Sequence, residues 1–418
     1  MMTATEAEIA IASEVAGLRA GPVLGAREFS VLRRRLMLEG CKWDAQVGDE
    51  STLAAFPLIL KGSVWNQLAA QAEQLATEAA AAEMEIARQP HLLRQLSLPS
   101  GVPELLGDAD RLTPAAGRVI RFDFHPTTEG WRISEANSDV PGGFCEASWF
   151  PQLMADYHSG LQPAGNPTAA WCAALLSTVG SASTIALLSA PGYMEDHQVI
   201  AHLAQTLRQY GCHTHLTRPD QLQWREGRAH LDTLWYRGPL DAIVRFYQAE
   251  WLAKLPRECG WSHFFRDGKT PVANPPLSVI SESKRFPLVW NQLSQPLHGW
   301  RAWLPETHEA REITAGRHGD WLLKTAFCNT GDTVSMPQLM SPIQWWQAKW
   351  RARFSAENWI AQRRFQSLPL ATPLGLRHVC VGIYTVNGRA VGAYTRLSPR
   401  PVIDFAATDV ALLLDPHA

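Results

Sequence analysis

Residues 118–137 read RVIRFDFHPTTEGWRISEAN. Two β-rich runs, RVIRFDF and GWRISEAN, flank the turn-rich HPTTEG, and this pattern predicts a β-hairpin. In a strand, residues two apart project to the same face. Arg121 and Asp123 therefore share a face of the first strand, and Glu135 and Asn137 share a face of the second. Pairing of the strands through the turn brings Asp123, Glu135 and Asn137 together. Two carboxylates and an amide oxygen are hard oxygen ligands of the kind Mg²⁺ takes, with substrate phosphates completing its shell. Arg121 on the same face can hold a transferring phosphoryl group or a carboxylate. The same residues also fit a solvated hairpin face with a surface ion pair, which is common and weakly informative. The following loop, Pro141-Gly142-Gly143, favours a binding site, because glycine lets a ligand approach the backbone.

Upstream, residues 1–115 read as a mainly helical region. Trp65 to Arg88 is rich in Ala, Glu and Gln and lacks Gly and Pro, a strong helix-forming composition. Pro99, Gly101 and Pro103 then break the pattern. Downstream, STIALLSAP at 183–191 is the continuous apolar run of a strand buried on both faces. EDHQVIAHLAQTLRQYG follows with helical spacing, then CHTHLTRPDQL and LDTLWY as strand candidates, so 176–270 reads as a small α/β layer. The turn at Gly192 is no GxGxxG, which leaves a dinucleotide site there poorly supported. Beyond residue 271, SESKRFPLVWN is helical, GDWLLKTAF is strand-like, and Asn387-Gly388 between alternating runs predicts a hairpin.

Lys284 falls at the start of that helical segment and Lys324 ends the strand-like WLLK. A lysine on a strand beside a flexible loop can grip nucleotide phosphates. Neither lysine makes a GxxxxGK[ST] loop, and each alone also fits a surface cation.

The 418 residues contain 38 basic and 40 acidic side chains, a net charge of −2. No global field attracts nucleic acid or an anionic membrane, so binding of either kind has to be local. The seven cysteines form no CxxC pair, which argues against a zinc ribbon or a dithiol and for a reducing cytoplasm. The N-terminus lacks the basic region of a signal peptide, and no run reaches the ~18 apolar residues of a membrane span. The 17 Trp suit cores and binding clefts alike.

In this order, RFDFHPTTEGWRISEANSD, VRFYQAEW at 244–251, SESKRFPLVWN, WLLK, WIAQRRFQSLP and VCVGIYTVNGRAVGAYTR resemble the glutathionylspermidine synthase family. This family is the circularly permuted branch of the ATP-grasp ligases. The resemblance runs from about Arg118 to Asp404. It implies an α/β ATP-grasp fold with a pre-ATP-grasp layer and a helical N-terminal region. The segments would be 1–115 (helical), 116–175 (metal-binding hairpin), 176–270 (pre-ATP-grasp layer) and 271–418 (nucleotide-gripping). The resemblance further implies that Asp123, Glu135 and Asn137 bind Mg²⁺ and that Arg121 stabilises the phosphoryl group in flight. Lys284 and Lys324 would hold ATP phosphates, with Gln362 beside adenine, Arg396 on the substrate side and Glu250 near the amine. The implied reaction joins a small-molecule or peptide carboxylate to an amine through an acyl phosphate.

The sequence departs from the family pattern at two places. CNTG stands where the family has a more Gly-rich loop, with Asn329 in place of an arginine. VPGG replaces the serines that follow E-x-N near the glutathione site. The first implies a different phosphate grip or loop closure, the second points to substrates other than glutathione and spermidine, and no amidase domain is expected ahead of the ligase. Two other functions fit parts of the pattern. One is a catalytically inactive nucleotide-binding or scaffold protein, suggested by the thinned loop. The other is a glycan-active hydrolase using Asp123 and Glu135, since glycosidases place two carboxyls roughly 5 to 9.5 Å apart.

Overall fold

The computed structural model describes residues 13–47, 50–314, 320–327 and 334–418. Strands β1 (Val119–Thr127) and β2 (Gly130–Asn137) form the expected hairpin. The turn is shorter than HPTTEG: Thr127 pairs with Gly130, and His125 to Thr127 continue the strand. Next comes a parallel layer of β3 (Thr184–Ser189), β4 (His213–Thr217), β5 (Ala242–Phe246) and β6 (Val272–Ala273), ordered β4-β3-β5-β6. Ile185, Ala186, Leu187 and Leu188 of β3 are all buried, because apolar clusters cover both faces of this layer. LDTLWY is only partly strand: Arg228–Asp232 pairs in a separate three-stranded meander, and Leu234 and Trp235 lie exposed beyond it.

A small antiparallel sheet follows, made of β7 (Thr307–Glu309), β8 (Trp321–Thr325) and β9 (Trp359–Arg363), with β9 in the middle. The chain then adds β10 (Pro369–Thr372), β11 (Gly375–Val386), β12 (Arg389–Ser398) and β13 (Thr408–Val410). These return to the first hairpin, giving the order β13-β12-β11-β1-β2 with β10 on the end of β11. One sheet thus combines strands from sequence-distant segments, as the permuted order requires. The β11–β12 turn has Asn387 at φ 46° and Gly388 at φ 81°. Two consecutive positive φ values define the type I′ hairpin turn that Asn-Gly favours.

Two helices, Ala26–Glu39 and Gly62–Ala87, dominate the N-terminal region. Short strands between them are an addition that the helical pattern hides. Leu58–Lys61 pairs in parallel with Leu412–Asp415. Residues 1–12 lie outside the described residues. Strand alternation sorts β1 into two faces. Ile120, Phe122 and Phe124 enter the main core, where Phe122 meets the edge of Trp300 at 5.8 Å. Arg121, Asp123 and His125 take the opposite face. Apolar burial on one side, about 1.5–3 kcal/mol for each large side chain, therefore fixes where the polar side points.

Candidate active site

On β1 and β2, Arg121 pairs with Asn137 and Asp123 with Glu135, so the four predicted residues share one face. The register slips between Asp123 and Phe124, which makes Ser134 the extra residue of a bulge. On the other edge of β1, Gly382 of β11 lies opposite Asp123. A Cβ at Gly382 would stand 2.7 Å from Arg121 Cδ and 2.9 Å from Asp123 Oδ1. The glycine makes room for both side chains.

Asp123 is the hub. Arg121 donates Nε to Oδ1 at 2.7 Å and Nη2 to Oδ2 at 3.0 Å. Arg396 donates Nη2 to Oδ2 at 2.9 Å, and Asn137 donates Nδ2 to the same oxygen at 3.3 Å. Burial opposes the Asp123 charge, but the two guanidinium groups outweigh it and hold the carboxyl well below the usual range. Arg121 also donates Nη1 to the Gly142 carbonyl at 3.0 Å. Among the described residues, the buried Nε of Arg396 has no hydrogen-bond partner.

Glu135 faces the lysines. Lys284 Nζ lies 3.2 Å from Glu135 Oε2, and Lys324 Nζ donates to the Ser134 carbonyl at 3.0 Å. Burial again opposes ionisation, and Lys284 followed by Lys324 keeps the Glu135 carboxyl below its ordinary value. Lys284 does not start a regular α-helix. It sits between the Ser278–Glu282 helix and the 3₁₀ segment Phe286–Gln292, where its N–H donates to Ala326 at 2.8 Å. Glu282 accepts the N–H groups of Ser138 (2.6 Å) and Asp139 (2.9 Å), fastening the loop after E-x-N to this segment.

A cleft opens between the hairpin and the small sheet, lined by Arg121, Asp123, Glu135, Lys324, Gln362 and Arg396 among others. Gln362, on β9, donates Nε2 to Thr307 Oγ1 at 3.3 Å. Lys284 joins this set through Glu135, and Asn137 through Asp123. Glu250 does not line the cleft. It belongs to the short Ala249–Leu252 helix, whose first N–H donates to Asp139 Oδ2 at 2.8 Å. Burial pushes its carboxyl up. The CNTG segment, Asn329 included, lies outside the described residues.

The Gly143 position has a different cause from the one its sequence suggests. At φ 89°, a Cβ there would stand 2.5 Å from Tyr394 Cδ1. Its freedom serves packing against the Tyr394 ring, not approach of a ligand. Gly142 has open space around its Cα, and its carbonyl accepts from Arg121 and the Tyr384 hydroxyl.

Two site residues escaped the sequence reading. Buried His125 contacts the Val379 carbonyl through Nδ1 and Ser134 Oγ through Nε2, both at 3.1 Å. Burial pushes its pKa down to about 4, so it is neutral at pH 7. Tyr394 lies beneath Arg121 and Arg396, and its hydroxyl donates to Asp409 Oδ1 at 2.7 Å. Each stands two residues from a predicted site residue on the same strand, and period-two alternation was the available signal.

Among the described residues, no further carboxylate, histidine or cysteine joins Asp123 and Glu135 in a cluster that could enclose a metal. Two carboxylates and an amide oxygen fit a Mg²⁺ shared with phosphate oxygens, the usual arrangement for this ion. They do not fit a cation held wholly by protein.

The fold resembles that of a glutathione synthetase-like effector from Globodera pallida, solved in its apo form. The TM-score is 0.60 at 11% identity, covering 87% of this chain and 90% of that one. A putative gamma-glutamylcysteine synthetase from Methylobacillus flagellatus KT matches at TM-score 0.42 and 10% identity, over 80% of this chain and 86% of that one. No curated protein matches the sequence. The sequence profile of the glutathionylspermidine synthase preATP-grasp family matches residues 39–414, and the chain belongs to that family.

Proposed function

We propose that the protein is an ATP- and Mg²⁺-dependent ligase that joins a carboxylate to an amine through an acyl phosphate, on substrates other than glutathione and spermidine. One observation carries the reading: the hairpin carboxylates Asp123 and Glu135 share a single cleft with Lys324 and Gln362 of the small sheet. Family membership and synthetase-like neighbours support it.

In this reading Asp123, Glu135 and the Asn137 amide oxygen hold Mg²⁺, which neutralises crowded phosphate charge when bound. Lys284 and Lys324 bind ATP phosphates, and Gln362 hydrogen-bonds adenine. Arg121, fixed by Asp123 and the Gly142 carbonyl, presents its cation to the equatorial oxygens of the transferring phosphoryl group. Arg396, whose Nε has no partner among the described residues, takes the carboxylate of the acid substrate. That carboxylate attacks the γ-phosphorus and releases ADP. The amine then attacks the acyl carbon, phosphate leaves, and the amine gives up a proton. Glu250 stands outside the cleft, and its amine-binding role requires the acceptor to reach past Asp139.

Asp123 and Glu135 are both held ionised, so neither offers the proton that a glycosidase acid gives its leaving group. The six described cysteines are free thiols, which supports a reducing, cytoplasmic location. Among the described residues no helix is long and apolar enough to cross a membrane.

Calorimetry with a non-hydrolysable ATP analogue, followed by ADP release on panels of acid and amine pairs, tests the proposal. The expected result is Mg²⁺-dependent binding that Asp123→Asn impairs, with turnover on a matching pair. No nucleotide binding, together with an inert Asp123→Asn substitution, sinks it. Binding without turnover on any pair selects the inactive nucleotide-binding reading instead.

A further inference from the structure

The helix Pro342–Phe354 has the sequence PIQWWQAKWRARF. It is well capped: Ser341 Oγ accepts the Gln344 N–H, and Gln344 Oε1 accepts the Ser341 N–H at 2.9 Å. Its inner face, Ala348 and Ala352, packs with Trp321, Leu323 and Ala361 of the small sheet. Alternation along β8 places Leu322 and Lys324 on the other side of that sheet, toward the cleft. The helix therefore covers the face away from the proposed active site.

Its outer face is apolar and bare. Ile343 is 70% exposed, Trp346 59%, Trp350 52% and Phe354 64%. At 3.6 residues per turn these four fall within about 80° of arc, opposite the two buried alanines. Arg351 flanks the stripe on one side, and Lys349 and Arg353 flank it on the other. The helix contains no acidic residue. Among the described residues none of the three cations pairs with a carboxylate. Both sides of the helix are apolar, the inner one against the small sheet, so the segment is not amphipathic in isolation. Its exposed half nevertheless carries a Trp/Phe/Ile stripe edged by Lys and Arg, the residue types that seat at a membrane interface.

We propose that this helix docks the protein peripherally on an anionic phospholipid bilayer, its apolar stripe in the headgroup region and its three cations on the lipid phosphates. This surface is separate from the ligase reading and stands without it. Charge selects the occupant. A second copy meeting this face through a two-fold axis would set the same three cations against each other. Single-stranded nucleic acid would need free ring faces for stacking, yet Trp350 and Phe354 lie against each other at 4.3 Å, and Ile343 has no π face. The near-zero net charge of the whole chain is no obstacle, since the attraction acts within about a Debye length of the surface.

The test is flotation of the full chain with extruded vesicles of phosphatidylcholine, alone or with 30% phosphatidylglycerol, at 0.15 M salt. The expected result is flotation only with the anionic vesicles. Trp350→Ser with Phe354→Ser should abolish it. Arg351→Ser and Arg353→Ser, which leave the stripe intact, should each weaken partitioning about fivefold. Circular dichroism confirms folding of each variant, and nucleotide affinity should be unchanged in all of them. No flotation with anionic vesicles, or equal flotation of the Trp350/Phe354 variant, overturns the proposal. So does self-association in sedimentation, or oligonucleotide binding, that this variant removes without any flotation of the wild type.

Discussion

Asp123 and Arg396 touch across an intervening strand: Nη2 of Arg396 on β12 reaches Oδ2 of Asp123 on β1 at 2.9 Å. The strand between them carries Gly382 opposite Asp123 and Tyr394. The missing side chain opens the space in which both arginines meet one carboxylate. Gly382→Ala should force Arg121 and Asp123 to move. Overpacking of this kind costs about 1–3 kcal/mol, so the melting temperature should fall moderately. Affinity for a Mg²⁺–ATP analogue should fall at least about tenfold, more than the lost stability accounts for. Thermal melts and calorimetry on the same preparation separate the two effects.

Glu135 divides its charge between Lys284 and the proposed metal. Glu135→Gln keeps the shape and removes the charge, so Mg²⁺ should no longer raise nucleotide affinity. Nucleotide binding without metal should survive or improve, because Lys284 and Lys324 lose their competing anion. Titrations with and without Mg²⁺ check this. An undiminished Mg²⁺ effect in the variant would exclude Glu135 as a ligand.

His125 makes stability depend on pH. Its folded pKa is about 4 against an unfolded value near 6.5. Between those values the unfolded chain binds a proton that the folded chain refuses. Its contribution is complete above about pH 6.5 and is lost as pH falls toward 4, by up to about 1.4 kcal/mol per pH unit. His202, also lowered to about 4 by burial, acts with the same sign. Asp196, raised to about 7 by burial, acts in the opposite sense, though its partial exposure shrinks the effect. The informative quantity is therefore the difference between wild type and His125→Gln. Urea melts from pH 7 to 5 should show the variant losing less stability than the wild type.

The hairpin was legible because alternation and turn chemistry are local: Arg121, Asp123, Glu135 and Asn137 declare a common face from spacing alone. The Asn387-Gly388 turn was legible for the same reason. The Gly382 gap and the support beneath both arginines were not, since they depend on strand neighbours more than 250 positions away from Asp123. Gly143 shows the limit of local reading. Its composition signalled ligand approach, and the actual cause is a tyrosine ring from another strand. Glu250 sits apart from the cleft that Asp123 and Glu135 line, a separation that depends on the fold and that local spacing does not express.

Lys42 provides the last prediction, because it anchors the ring that supports both arginines. Its Nζ is buried against Asp44 at 2.7 Å, Asp409 at 3.0 Å and Glu146, and Asp409 in turn accepts the Tyr394 hydroxyl. Burial opposes the lysine charge, and Asp409, Glu146 and Asp44 together hold its pKa well above the ordinary value. Lys42→Met removes the cation that these three carboxylates share. Breaking a buried ion pair this way costs about 3–5 kcal/mol. Glu146, whose carboxyl burial already pushes up against the pull of Lys42, should then bind a proton still more readily when folded than when unfolded. The raised folded pKa of Glu146 makes the variant lose stability as pH rises and regain it as pH falls. Urea melts at pH 7 and pH 5 should therefore show a smaller deficit at pH 5. A deficit that stays constant with pH would assign Lys42 a packing role and detach it from the charge network under Tyr394.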